Sequence, residues 1–283
     1  MSAEAAAAEA TPDLGRSIIE HVSNGPAILP LHVGPLDLSI SKHVVMLWIS
    51  ATITFLLLVW YARHVARSAD GAPKGRLGTM VDVFVVFIRD QIVMPFIGPK
   101  WARAWTPLIT AYFFFIVINN LIGLTPFVDA AAHWVPGLGG LEHGSSTATG
   151  NFNVTAGLAI VTFFAIIAAG SLAHGAVKHW VNMVPHGMPL PVLALLIPIE
   201  VLSMFVKPFA LTMRLAANMT AGHIAIVAIM SLIFIFKSAL VGFGAVPLAG
   251  ALMCLEIIVC FVQAYVFTLL SAVFIGMAIH VHH

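Results

Sequence analysis

Apolar residues along this chain fall in blocks too long and too continuous for the striped helices of a soluble core. The first block, about 43–62, has close to the roughly 20 residues that a helix needs to cross hydrocarbon. Further blocks at about 106–128 and 154–175 have the same character, and two very long ones follow at about 190–236 and 247–280. Residues 77–98 are different, because apolar positions there alternate with Asp82, Arg89 and Asp90, a mixture suited to a helix lying in the membrane interface. The pattern therefore predicts an all-α membrane protein with five membrane-crossing helices and one interfacial amphipathic helix. The 190–236 block exceeds one perpendicular span, so it is expected to tilt strongly or to kink at Pro198 or Pro208. The break between the last two helices is expected across Lys237, Gly242, Gly244 and Pro247.

Between the blocks the punctuation is polar. Residues 1–42 are comparatively hydrophilic and contain no signal-type apolar core. Trp101 and Trp105 read as interfacial anchors before the second span, and Lys178, His179 and Trp180 close the third. A Gly-, Ser- and Thr-rich loop covers about 129–152, and a connector with Pro185, Pro189 and Pro191 leads into the fourth block. Neither an internal repeat nor a separate soluble domain is visible, so 43–283 reads as one integral membrane domain behind a 1–42 segment.

Composition then excludes whole classes. Of 283 residues, 60% are hydrophobic and only 9% are Asp, Glu, Lys or Arg, with a mean hydropathy of +1.00. A soluble domain carries about 25% charged residues, so this chain cannot cover itself with a water-facing surface. Its 13 basic and 12 acidic residues leave no surplus for nucleic acid. Cys254 and Cys260 share one apolar run and form neither a disulfide framework nor a zinc pattern.

What charge there is sets orientation. Arg63, Arg67, Lys74, Arg76, Arg89, Lys100 and Arg103 cluster between the first two spans, whereas the 129–152 loop has no Lys or Arg. The basic segment is expected on the cytoplasmic side, the N-terminus and the 129–152 loop outside, and the C-terminus inside after five crossings.

A few ionisable residues remain inside the last two blocks. Glu200, Lys207, Arg214 and Glu256 lie there, with Asn218, His223 and Gln263 as polar companions. Each charge at the centre of a spanning helix costs about 2.5–3.5 kcal/mol on insertion scales, so a group of them needs a function. Glu200, Lys207 and Arg214 recur every seven residues and so lie near one helix face, while Arg214 and Asn218 are neighbours one turn apart. In an antiparallel hairpin, residues at equal depth have nearly constant index sums. Arg214 then shares a level with Gln263, and His223 with Glu256. His223 is about half a turn round the helix from Arg214, which disfavours one straight pore. Two offset polar routes fit better, one to His223 and Glu256 and one to Glu200, with a permanently charged arginine between them. Protons would need an outside carrier to pass from one route to the other.

The stretch Lys207-Pro208-Phe209-Ala210-Leu211-Thr212-Met213-Arg214-Leu215-Ala216-Ala217-Asn218-Met219-Thr220-Ala221-Gly222-His223 resembles the signature of subunit a of F-type ATP synthases. So do Glu256 and Gln263-Ala264-Tyr265-Val266-Phe267. Asn120-Leu121-Ile122-Gly123-Leu124-Thr125-Pro126 is similar to a family element on an earlier span, and Ser41-Lys42-His43-Val44-Val45-Met46 to the start of its first helix. The resemblance runs from about 40 to 280.

That resemblance implies a non-catalytic, proton-conducting stator subunit with no cofactor or metal, in a bacterial inner or plasma membrane. Its implied partners are a ring of c subunits, the peripheral-stalk subunit b and the lipid bilayer, and its cargo is H+. The last two helices would form an antiparallel hairpin against the ring. Arg214 matches the family's essential arginine, Gln263 and Asn218 the amides beside it, His223 and Glu256 the outer half-channel pair, and Glu200 an inner carboxylate. Asn120 is a further outer-route residue. Ala216-Ala217 departs from the commoner pair after the arginine, and Gly123 stands where some members have Asp, with Asp129 or Glu142 as substitutes. Lys207 reads as structural or snorkelling, and His280, His282 and His283 as a solvated tail.

Competing classes are weaker. A b-haem oxidoreductase needs histidine pairs facing each other in a bundle, and only His223 lies deep in an apolar stretch. A stand-alone transporter predicts inverted repeats, and an intramembrane metalloprotease a His-Glu-x-x-His motif; neither is visible.

Overall fold

The computed structural model describes residues 32–33, 36–37, 39, 41–68, 73, 75–125, 148–175, 178, 180 and 190–280. A two-rung antiparallel ladder comes first, pairing β1 (His32–Val33) with β2 (Leu36–Asp37). Helices follow: α1 (Lys42–Arg67), α2 (Arg76–Phe87), α3 (Met94–Ile97), α4 (Pro99–Leu124), α5 (Phe152–His174), α6 (Leu190–Phe236) and α7 (Ala239–Ile279). Five of them, α1, α4, α5, α6 and α7, are long and apolar enough to cross a membrane. Apart from that short ladder, the regular structure of the described residues is helical, and the chain is a multi-pass membrane protein.

Several boundaries differ from the sequence expectation. α1 continues to Arg67 and α4 begins at Pro99, ahead of the tryptophans. The largest difference is between the last two helices. The chain turns at Lys237 and Ser238, where Lys237 takes a positive φ of 44°, and α7 then runs unbroken through Gly242, Gly244 and Pro247. Likewise α6 is continuous through Pro198 and Pro208. In apolar surroundings every lost backbone hydrogen bond is costly, so a spanning helix holds together across residues that would end it in water. The expected interfacial segment is α2, a π-helical turn over Ile88–Val93, and α3. Gly98 closes it with a φ of 87°, a value that side-chain-bearing residues rarely adopt.

The chain divides into two compact units, to which all five long helices contribute. One comprises Met1–Ala51, Val117–Val154 and Leu215–Val262; the other comprises Thr52–Ile116, Thr155–Arg214 and Gln263–His283.

Within the second unit, packing is largely aromatic. Phe84 of α2 meets Phe113 and Phe114 of α4, Phe87 meets Tyr265, Tyr112 meets Phe267, and Phe163 stacks on Phe205. The C-terminal end of α7 is tied down twice. His174 Nε2 lies 2.9 Å from the Ile279 carbonyl, and His280 Nε2 lies 2.9 Å from the Ile97 carbonyl. Each histidine thereby serves one of the last carbonyls of a helix, which has no partner within its own helix. His280 is therefore a packing residue and not only part of a solvated tail; His282 and His283 lie outside the described residues. Beside this, Gly276 touches the Phe96 carbonyl so closely that an added Cβ would collide with its oxygen and approach its carbon to 2.8 Å. Because backbone must give way, Gly276→Ala should cost about 1–3 kcal/mol, read as a lower thermal midpoint of the solubilised protein.

Candidate functional site

Arg214 and Asn218 sit one turn apart on α6, and both side chains are exposed. Their face carries exposed Ala210, Ala217 and Ala221, so a guanidinium and an amide stand among small apolar side chains. Among the described residues Arg214 has neither an ion pair nor a hydrogen bond; the ion pair found there joins Arg89 to Asp90 at 2.7 Å. The Arg89 guanidinium holds the exposed Asp90 carboxyl below the usual carboxylate range, so that pair loses its attraction as pH falls through the lowered value. Thr212 and Ala216, on the opposite side of α6, are buried.

Gln263 is buried, at 7% exposure, and belongs to the same compact unit as Arg214 and Glu200. Glu200 is half-buried and, among the described residues, unpaired. The ammonium of Lys207 lies 5.6 Å from the centre of the Phe274 ring, a cation–π contact that fits the structural role expected of it.

His223 and Glu256 belong to the first unit, and here the structure brings elements together. Glu256 is 6% exposed, and its carboxylate rests directly on Gly222, the residue before His223. A Cβ at Gly222 would overlap both carboxylate oxygens, so the absence of a side chain there creates the room for this carboxylate. The contact agrees with the expected level for His223 and Glu256. They form no closed pair, however. Glu256 Oε1 and His223 Nε2 are buried atoms without hydrogen-bond partners.

The same unit contains a polar chain that the sequence reading only touched. Thr149 donates to Asn120 Oδ1 across 2.5 Å, both residues being fully buried. Thr149 lies in a 3-10 turn, Ala148–Gly150, at the end of the Gly-rich loop. The carbonyl of Gly150 accepts from Thr220 on α6, two residues before Glu256's neighbour Gly222 and about one turn before His223. Next to Asn120, Asn119 Oδ1 accepts from Ser50 of α1 at 3.1 Å. Asn119 Nδ2 and Asn120 Nδ2 are also unpartnered and buried. A buried polar atom left without a partner costs about 1–3 kcal/mol, so the open atoms of Asn119, Asn120, His223 and Glu256 leave this region able to take up further hydrogen bonds. Leu124, Met219 and Cys260 form an apolar cluster within this unit, each one turn from a polar group: Asn120, His223 and Glu256 respectively. Asp129 and Glu142, the suggested substitutes at Gly123, lie outside the described residues. No group of three or more His, Cys, Asp or Glu side chains able to hold a metal converges among the described residues.

Of the expected site residues, Asn120, His223 and Glu256 thus share one unit with Ser50, Asn119, Thr149, Thr220 and Gly222, which carry no charge to mark them. Glu200, Arg214 and Gln263 fall in the other.

Comparison with known proteins bears on the family. A family model described as ATP synthase A chain matches residues 44–276. ATP synthase subunit a of Chloroherpeton thalassium is 41% identical over 250 residues, covering 88% of this chain and 69% of that protein. The Myxococcus xanthus protein of the same name is 37% identical over 261 residues, covering 92% and 79%. That of Anaeromyxobacter dehalogenans (strain 2CP-C) is 38% identical over 257 residues; this chain spans 61% of its length.

Proposed function

This chain belongs to the ATP synthase A chain family, and from that premise we propose that it is the proton-translocating stator subunit of an F-type ATP synthase membrane sector. Family membership makes it a non-catalytic, membrane-embedded component of an ATP synthase complex.

The observation that carries it is the state of Arg214. A guanidinium on an exposed apolar helix face, unpaired among the described residues, has its charge directed outward. The fitting partner is an anion supplied by another subunit, here a carboxylate of the c-ring. That carboxylate loses its proton near Arg214, is held there by charge, and regains a proton after the ring has moved. Guanidinium and carboxylate attract strongly where water is scarce, so the pair must also be able to part. Exposure of Arg214 and the amide of Asn218 one turn away supply that release, because each ion then has another hydrogen-bond partner. The positive charge of Arg214 blocks direct passage between routes.

The outer route is assigned to the polar chain of the first unit. Asn120, Thr149, Thr220, His223 and Glu256 offer hydroxyls, an amide, an imidazole and a carboxylate, groups that can pass protons or hydrogen bonds on. Open hydrogen-bonding atoms on His223 and Glu256 favour a relay over a static ion pair. Glu200, half-buried and unpaired among the described residues, is the carboxylate of the inner route. The hairpin of α6 and α7 lies against the ring, subunit b braces the chain, and the N-terminus is outside with the C-terminus cytoplasmic. A membrane potential contributes about 2.3 kcal/mol per charge per 100 mV, which sets the direction of proton flow.

Exchange of His223 and Glu256 tests the relay. The double variant His223→Glu with Glu256→His should retain more ATP-driven proton pumping in membrane vesicles than either His223→Ala or Glu256→Ala. Equal loss in all three would remove the pair from the pathway.

A further inference from the structure

The exposed face of α1 reads as lipid-facing from Trp48 through Phe55 and Leu56 to Trp60. At about 100° per residue, Arg63 and Arg67 fall on that same face, one and two turns beyond Trp60, and both are exposed. α2 folds back beside this end of α1. Tyr61 donates to Asp82, and the position of a Cβ on Gly78 lies 3.8 Å from His64. This antiparallel register brings the start of α2, with exposed Arg76, level with Arg67.

None of these three guanidiniums has a partner among the described residues. The neighbouring carboxylates are already engaged: Asp82 accepts from Tyr61, and Asp90 is held by Arg89. Both described acids of the segment are thus matched to donors, with Asp70 outside the described residues, while three arginines at the end of a lipid-facing stripe are left open among the described residues. Lys74 lies between them in sequence and adds to the positive charge. Trp60, stacked on His64 with ring centres 5.3 Å apart, sits where the apolar face gives way to charge. Aromatic rings favour that boundary, and the headgroup layer begins just beyond it.

We propose that Arg63, Arg67 and Arg76 form a binding site for the phosphodiester headgroup of an anionic phospholipid whose acyl chains lie along the Phe55–Trp60 face of α1. The planar, forked guanidinium suits phosphate oxygens, and the apolar stripe leading to the arginines suits acyl chains. An acidic protein segment would satisfy the charges but leave that continuous stripe unexplained. The site is independent of the proton pathway, since Arg214, His223 and Glu256 take no part in it.

The test uses the full chain in its assembled complex, washed in detergent and exchanged into phosphatidylcholine with or without phosphatidylglycerol. Retained lipids are counted by native mass spectrometry. The unaltered protein should retain phosphatidylglycerol over phosphatidylcholine. Arg63→Gln, Arg67→Gln and Arg76→Gln should each lower that preference roughly fivefold, at about 1 kcal/mol per arginine near an anionic surface. Arg103→Gln, which removes the same charge from α4, should not. A triple glutamine variant that holds phosphatidylglycerol unchanged overturns the proposal, whether or not it loses a protein subunit. Displacement of the lipid by inorganic phosphate at equal concentration also overturns it, because the site would then recognise phosphate alone. A second measurement leaves the arginines intact. Brominated phosphatidylglycerol should quench Trp60 fluorescence, read as the difference from Trp60→Phe, more than brominated phosphatidylcholine; equal quenching refutes the site.

Discussion

Arg214→Ala should abolish ATP-driven proton pumping while the complex still assembles. The side chain is exposed and, among the described residues, unpaired, so its removal leaves neither a cavity nor a stranded buried partner. Folding has little to lose. Transport loses its one permanent positive charge at the proposed ring contact, and with it both the hold on the deprotonated ring carboxylate and the barrier to proton leakage. Arg214→Lys keeps charge but not the flat fork that meets a carboxylate with two hydrogen bonds, and should restore only part of the activity. The measurements are acidification of inverted membrane vesicles on addition of ATP, and the subunit content of the purified complex. Coupled pumping at the unaltered rate by Arg214→Ala would end the mechanism proposed here.

Gly222→Ala should separate transport from stability. A methyl group there meets the carboxylate of Glu256, the far end of a flexible side chain that can swing away. The protein should therefore melt at its usual temperature. What changes is where the carboxylate lies, because Glu256 must leave the recess beside His223 or adopt a strained rotamer. Such strain costs about 0.5–1.5 kcal/mol, which corresponds to a roughly two- to tenfold fall in passive proton flux. Gly276→Ala is the informative contrast. Its added methyl meets the backbone of Phe96, which cannot swing away, so there the loss falls on folding. If Gly222→Ala conducts protons normally, the carboxylate does not need its present seat.

The spanning helices were readable from the chain because lipid imposes a simple demand, a long run of apolar residues with few charges. Their ends were less so. Pro247 and two glycines mark a turn in a soluble protein, but α7 runs through them and the turn falls at Lys237 and Ser238. The charged and titratable members of the site were also legible, since charge is scarce here and each instance is conspicuous. Thr149, Thr220, Ser50 and Asn119 were not. A hydroxyl in a membrane helix often satisfies itself on the carbonyl one turn back, as Thr212 does with Pro208 and Thr268 with Ala264. Sequence cannot distinguish such a residue from Thr149, which reaches across to Asn120 instead. Gly222 was equally silent, because its contribution is the space it leaves. Nor did the sequence reveal that the rings of His174 and His280 each serve the end of a different helix; for His280, position near the terminus suggested only solvent.

Only Lys237 and Ser238 separate a helix of 47 residues from one of 41. So short a link has no slack. Neither helix can slide along the other by even one turn without unwinding at the join. In the proposed working cycle the turning ring pushes sideways on Arg214, and that push would be borne by both helices together, as by the two flanges of one beam. Lengthening the link with a few flexible residues would let the flanges slip, so that protons could still pass while less of their energy reached rotation.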